Sequence, residues 1–218
     1  RSRRSHRHYR PDPIPTEVLD QLLELTLEAP SAWNYQGRAI VVASDSEARA
    51  GLVKATGEQP HYCEAPVVLV FLAAGAAWRR DNTDIFDSAR RNRAWSDRFV
   101  SSSAESSREF QEDLVERGLE REYAVKDAVI AASFAMLAAT ELGLACSPMN
   151  GWNETLVKEA IGIGDRDSIA VALLLPIGYA AEERRHPGRR PTSSSVHYQR
   201  YRDTATDRLD PPYTGPLR

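Results

Sequence analysis

The sequence predicts a layered domain of the α/β or α+β class, with helices packed on one sheet. Three observations carry that expectation. Apolar runs of strand length recur at Ala39–Ala43, Pro66–Leu72 and Ser168–Ile177. Segments with helical periodicity and capping residues separate them. The stretch from Glu122 to Leu142 is apolar at every position from Ala128 to Ala139 except Ser133, which in a helix requires burial on all sides.

That stretch organises the rest. No Gly or Pro interrupts it, Ala, Leu and Met favour helix, and Glu122 and Lys126 form an i,i+4 pair at its start. Gly143 sits where a helix would stop. At about 1.5 Å per residue the helix spans roughly 30 Å, the width of a small domain. One subunit of 218 residues struggles to enclose it, so part of its surface is expected to face a partner subunit. A membrane span needs about 20 apolar residues, and this Ala-rich run falls short.

The remaining elements follow in order. Residues 1–15 form a basic arm punctuated by Pro11, Pro13 and Pro15, which excludes an early helix. Thr16 caps a helix to about Glu28, with Val18, Leu19, Leu22, Leu23 and Thr26 facing inward and Pro30 ending it. A loop rich in hydrogen-bonding side chains leads to a buried strand, Ala39–Ala43. A helix from Ser46 to about Thr56 opens on Asp45 or Ser46. Pro66–Leu72 is β-branched and apolar on both faces, as a central strand is. Residues 76–121 are charged and Ser-rich, and read as two or three short amphipathic helices broken at Ser101–Ser103, the best candidate for a lid. After the long helix come a strand at Cys146–Met149, a helix from about Glu154 to Ile161, and the strand Ser168–Ile177. From Ala180 onward the chain reads as a tail that needs a surface to lie on.

Length and composition predict one domain over 1–218, soluble, with a sizeable core. The net charge of −3 gives the molecule no general attraction for nucleic acid or anionic membrane. The charge is uneven: the first ten residues hold Arg1, Arg3, Arg4, Arg7 and Arg10 without an acid, and a second basic cluster runs from Arg184 to Arg190. No nucleic-acid recognition motif accompanies these arginines. Cys63 and Cys146 make neither a disulfide framework nor a metal spacing, and no apolar segment follows the basic N-terminus. A cytoplasmic location without a secretory leader is therefore expected. The five histidines are scattered, so no metal site is expected.

No Gly-rich dinucleotide fingerprint, P-loop, HExxH or nucleophile elbow is present. An enzyme with this sequence would use a cofactor for the reactive atom, so no side chain is assigned as catalytic. Four pieces could bind one. Arg3-Arg-Ser-His-Arg7 offers three guanidiniums and a hydroxyl for a phosphate and its polyol. Pro30-Ser-Ala-Trp-Asn-Tyr-Gln36 offers groups that bond to a ring edge. Pro148-Met-Asn-Gly151 places a turn after a buried strand, where backbone can approach a flat ligand. Gly188-Arg-Arg-Pro191 supplies two more arginines. Each has a purely structural alternative: a solvated arm, loop capping, a simple turn, a charged tail.

Their joint order resembles the FMN-dependent nitroreductase family over nearly the whole length. The match runs from RRSHRHY…PIP through EAPSAWNYQ, EAPVVLV and ELGLACSPMNGW to ALLLPIGYA and HPGRRP…VHYQRY. The resemblance implies an α+β nitroreductase-like fold, a central mixed β-sheet flanked by helices, in an intertwined homodimer with FMN at the subunit interface. It implies that Arg3, Arg4, Ser5 and Arg7 hold the FMN phosphate and ribityl chain, with Arg189 and Arg190 completing the grip. Pro30, Ser31, Ala32, Asn34 and Gln36 would contact the flavin from the partner subunit. Pro148, Met149, Asn150 and Gly151 would lie beside the isoalloxazine. Trp33 and Tyr35 would line the substrate side, with Trp95 and Phe99 of the variable 76–121 segment. Residues 192–218 would pack on the partner as a C-terminal extension. Two positions depart from the family's pattern: Gly37-Arg38 stands where Pro-Trp often follows the loop, and Asn150 where a glycine-like or acidic residue is common.

The implied activity is reduction of electron-poor acceptors, nitroaromatics and quinones, by NADH or NADPH in a ping-pong hydride transfer. Another flavin reaction on the same fold (reductive dehalogenation, enone reduction or flavin fragmentation) is the alternative, as is a flavin-binding or regulatory protein without turnover.

Overall fold

The computed structural model describes residues 2–201. The chain parts into two compact units, Arg1–Glu183 and Arg184–Arg218.

The first unit is built on a four-stranded sheet of order β1-β2-β4-β3, where β1 is Arg38–Ala43, β2 Val67–Ala74, β3 Ala145–Cys146 and β4 Ile169–Gly178. These strands all pair antiparallel. The sheet expected to be mixed is therefore antiparallel across these four strands; the arm adds an isolated parallel bridge between Ser5 and Cys146, outside any strand. In β2, Leu69, Phe71 and Ala73 face one core and Val68, Val70 and Leu72 the other, so its continuous apolar run is the mark of burial on both faces. Helices α1 (Thr16–Leu27) and α6 (Glu120–Glu141) cover the first face. Helices α2 (Ser46–Ala55), α3 (Pro60–Glu64) and α7 (Glu154–Ala160) cover the second. A bulge interrupts the β2–β4 register, with Phe71 opposite Leu173 but Leu72 opposite Val171. Ala172 and Leu173 consequently face the same core, which is how a bulge re-aims side chains.

Helix α6 presents Ala124, Ala128, Ala131, Ala135 and Ala139 to the sheet. This spacing of three and four makes one stripe, and its small side chains let the helix lie close. By length and composition alone the helix could cross a membrane, but this stripe is packed into the core. Its opposite side is not enclosed: Ile130, Phe134 and Leu137 are 38%, 38% and 66% exposed.

Several expectations need correction. Strand β1 is an edge strand, half-exposed along most of its length, rather than buried. Pro15, not Thr16, occupies the N-cap of α1, without a side-chain cap. Residues 76–121 contain a short turn at Gly75–Arg79, helix α4 (Thr83–Arg91) and the 20-residue α5 (Asp97–Glu116). Helix α5 runs unbroken through Ser101–Ser103. Ser101 and Ser102 donate their hydroxyls to the carbonyls of Asp97 and Phe99, which satisfies them inside a helix.

In the second unit the described residues contain one short helical turn, Thr192–Ser194. The expected packing of 192–218 on a partner falls mainly on residues outside those described.

Candidate functional site

The proline-blocked arm runs extended and is fixed by main-chain pairing. The His6 N–H donates to the Cys146 carbonyl at 3.2 Å, and the Arg10 N–H to that of Tyr179 at 2.9 Å. Tyr9 is buried, its hydroxyl donating to the Pro176 carbonyl at 3.1 Å, and burial pushes its phenol pKa up. Glu64 of α3 accepts from His8 Nδ1 at 3.0 Å and from the Tyr9 N–H at 2.9 Å. Those two bonds, the His8 one first, hold its carboxyl below the usual range.

This register places four arginine-segment residues at the β3 edge. Arg4 donates to the carbonyls of Ser2 and Arg3, and Ser5 and Arg7 are exposed. Arg3 is half-buried against Cys146. Burial pushes that thiol up to about 11, against the opposing pull of Arg3. The Nη1 of Arg3 is buried with no hydrogen-bond partner. An unpaired buried donor on a cation is costly, and a phosphate oxygen would satisfy it.

The Pro148–Gly151 turn leaves the same edge. Met149 bonds to Leu174 through main chain, its N–H donating at 3.0 Å. Asn150 and Gly151 are then exposed, and Asn153 caps α7 by accepting the Leu156 N–H. A Cβ added at Gly151 would meet only the Met149 side chain, at 3.5 Å, so the subunit's own packing does not demand glycine there. Beside the turn lies a groove of about 560 Å³, walled by Arg121, Val125, Val129, Asn150, Trp152 and the bulged Ala172. Arg121 is forked onto Glu154, at 2.6 and 3.3 Å. Burial pushes the Glu154 carboxyl up, but the bonds from Arg121 and the Val171 N–H outweigh it and lower its pKa. A groove of about 600 Å³ between β1, α2 and α7 contains none of the expected site residues.

The Pro30–Gln36 loop lies elsewhere. Trp33, Asn34 and Gln36 have φ of 54°, 56° and 49°, left-handed conformations that cost a bulky residue of order 1–3 kcal/mol each. The loop is held by its neighbours. The Ser31 hydroxyl accepts the Gln36 N–H at 2.9 Å. Arg38 donates to the carbonyls of Leu27, Ala29 and Pro30, closing the end of α1. Asp127 of α6 accepts the Ala32 N–H at 3.1 Å. Gly37 is needed for contact, since a Cβ there would stand 3.0 Å from Ala77 Cβ.

An aromatic ladder joins this loop to the variable segment: Tyr35 to Phe86 at 6.3 Å between centroids, Phe86 to Trp95 at 5.9 Å, Trp95 to Phe99 at 5.2 Å. Edge and tilted contacts of this kind are the favoured aromatic geometry. Phe86 was not among the expected site residues, yet it is the link between them. Trp33 is half-buried.

Within one subunit, then, the arm and the 148–151 turn come together and the 30–36 loop does not join them. At about 100° per residue, Asp127 beneath the loop lies about 160° around α6 from Val125 and Val129 of the groove. The exposed Ile130, Phe134 and Leu137 fall between the two. Arg189 and Arg190 are exposed in the second unit, Arg189 donating to the Gly188 carbonyl. The sequence assigns no positioning role to Asp127, Arg38, Glu64 or Arg121. The available signal for Asp127 was an acid directly before the longest apolar run.

The chain with this helix-covered sheet, pinned arginine arm and strained loop belongs to the nitroreductase family: the Nitroreductase family model matches residues 1–179. Among individual relatives, the chain is 32% identical over 189 residues to a Thermus thermophilus protein named NADH dehydrogenase, covering 83% of this chain and 84% of that one. It is 29% identical over 192 residues to MhqN of Bacillus subtilis, provisionally named an NAD(P)H nitroreductase, covering 85% and 89%. It also has the fold of a provisionally named nitroreductase from Exiguobacterium sibiricum solved in complex with FMN, at 22% identity, TM-score 0.81, and coverage of 91% and 94%.

Proposed function

We propose that this protein is an FMN-dependent oxidoreductase that uses NAD(P)H to reduce electron-poor small molecules, nitroaromatics and quinones among them. The observation that carries the reading is the arginine arm pinned at the β3 edge beside the 148–151 turn, with a buried Arg3 donor unsatisfied. The relatives' names and the FMN complex of the Exiguobacterium protein support it.

The residues present fit FMN. Arg3, Arg4, Ser5 and Arg7 bind its phosphate and ribityl chain. Pro148, Met149, Asn150 and Gly151 flank the ring, in a groove whose wall includes Arg121, itself held by Glu154. When bound, FMN supplies the reversible hydride chemistry that no side chain of this chain offers.

The functional unit in this proposal is a homodimer. The exposed Ile130–Phe134–Leu137 stripe is the surface a second copy would cover. Because it lies between the groove and the 30–36 loop on α6, an isologous contact across it brings the loop of one subunit toward the groove of the other. Pro30, Ser31, Ala32, Asn34 and Gln36 then close the slot from the partner, with Trp33 and Tyr35 on the substrate side. Trp95 and Phe99, reached through Phe86, shape acceptor choice, and residues 76–121 act as the substrate-side segment. The enclosing side chains exclude water and stack donor and acceptor in turn in one slot.

Single occupancy used twice gives parallel lines in double-reciprocal plots when NAD(P)H and a quinone are varied together. Intersecting lines would show donor and acceptor bound at once and remove the one-slot mechanism.

A further inference from the structure

We infer that Asp127 is a positioning residue, which holds the 30–36 loop in its left-handed conformation through the Ala32 main chain. This rests on the proposed flavin reading and adds a residue that touches neither flavin nor substrate.

Three observations converge on it. Asp127 is half-buried and directly precedes the apolar run of α6. An acid there is unfavourable for packing alone, and burial accordingly pushes its carboxyl pKa up, against the Ala32 N–H and Arg38. Its Oδ2 accepts the N–H of the first residue of the Ala32–Asn34 turn at 3.1 Å. Within the next four residues stand the three left-handed positions Trp33, Asn34 and Gln36. Such backbone persists only when its surroundings over-determine it, and the acceptor at the turn's start is one of the few fixed points. Arg38 faces Asp127 from β1 and grips the first residue of the loop through the Pro30 carbonyl. Tyr123, one turn earlier on α6, is the remaining titratable group influenced by it.

The loop serves the ring of the flavin and the arm serves the phosphate, so two ligands separate them. Riboflavin lacks the phosphate and reports on ring contacts alone. Asp127→Ala should weaken FMN and riboflavin by the same factor, roughly tenfold for a lost bond to a charged acceptor. Asp127→Asn, which keeps a carbonyl acceptor, should restore both to within about threefold. Ala32→Pro removes the donor instead. Proline is tolerated at a first helical position, and Ser31 before it is already extended, with φ −141° and ψ 156°. It should match Asp127→Ala, and the double variant should lose no more than either single one. Because Ala32→Pro leaves α6 untouched, it carries the test if Asp127→Ala does not fold. Additive losses, or weakening of FMN without riboflavin, would overturn the assignment. Wild-type protein that takes up neither flavin would overturn the underlying reading with it, whereas wild-type uptake with unchanged variants overturns the positioning role alone.

Discussion

The hydroxyls of Tyr35 and Ser107 lie 2.5 Å apart, tying the loop after α1 to the middle of α5. Ser107 is fully buried and also donates to the Ala104 carbonyl at 3.3 Å, so Tyr35 is the donor of the pair. Ser107→Ala removes its acceptor at a cost of about 1 kcal/mol, or roughly fivefold. The effect should appear in KM for the acceptor, with FMN affinity within about twofold of wild type. Steady-state kinetics beside a flavin titration separates the two, and an unchanged KM would detach α5 from the substrate side.

At the other end of the site, Arg3→Ala and Arg7→Ala should each weaken FMN by roughly tenfold or more, the worth of a charge-assisted hydrogen bond. Fluorescence titration measures this. Unaltered affinity in both variants would sink the phosphate assignment. Glu64→Ala should produce a smaller loss, because it releases the His8 and Tyr9 anchors of the arm without removing a guanidinium.

Much of this was legible in the chain itself. The continuous β-branched run of β2, the Pro-blocked arm and the Asp45-capped α2 follow from local chemistry, and the structure has all three. The burial expected of strand β1 is not found because a short apolar run reads alike in an edge strand and a buried one; its half-exposed pattern is set by sheet order. The continuity of α5 is hidden in the sequence because serine back-bonding within a helix has the same composition as a turn. Asp127 and Arg38 were missed for a third reason. Asp127 accepts from a main-chain N–H far away in sequence and Arg38 donates back to the carbonyls that end α1, and no pattern of residue types displays either contact.

The α6 stripe makes its own prediction. Phe134→Glu and Leu137→Glu each place a charge on a surface that a second copy would desolvate. Both should convert a dimer to monomer in sedimentation equilibrium and lower FMN retention at the same time. A wild-type protein that sediments as a monomer yet binds FMN fully would contradict the shared site.

Stability should also depend on pH through His61, which is 5% exposed. Burial first, then the Arg7 charge, lowers its pKa, while in the unfolded chain it titrates near about 6.5. Between those values the unfolded state binds the extra proton. Stability is therefore full above about 6.5 and declines as pH falls through the folded value. Asp127 has the opposite sign: its raised folded pKa means that stability is lost as pH rises through it. Urea midpoints should fall from neutral to mildly acidic pH, His61→Gln should flatten that decline, and Asp127→Asn should melt no lower than wild type at neutral pH. A decline unaltered by His61→Gln would remove that histidine as its source.

The central claim is that this chain holds FMN and reduces it with a nicotinamide donor. The most direct measurement is the visible absorption spectrum of FMN-loaded protein under anaerobic conditions, before and after adding NADH or NADPH. A flavin band that bleaches with either donor, and returns on addition of a quinone, is the expected result. A band that persists through both donors would contradict the enzymatic reading, and protein that cannot be loaded with FMN would contradict the site itself.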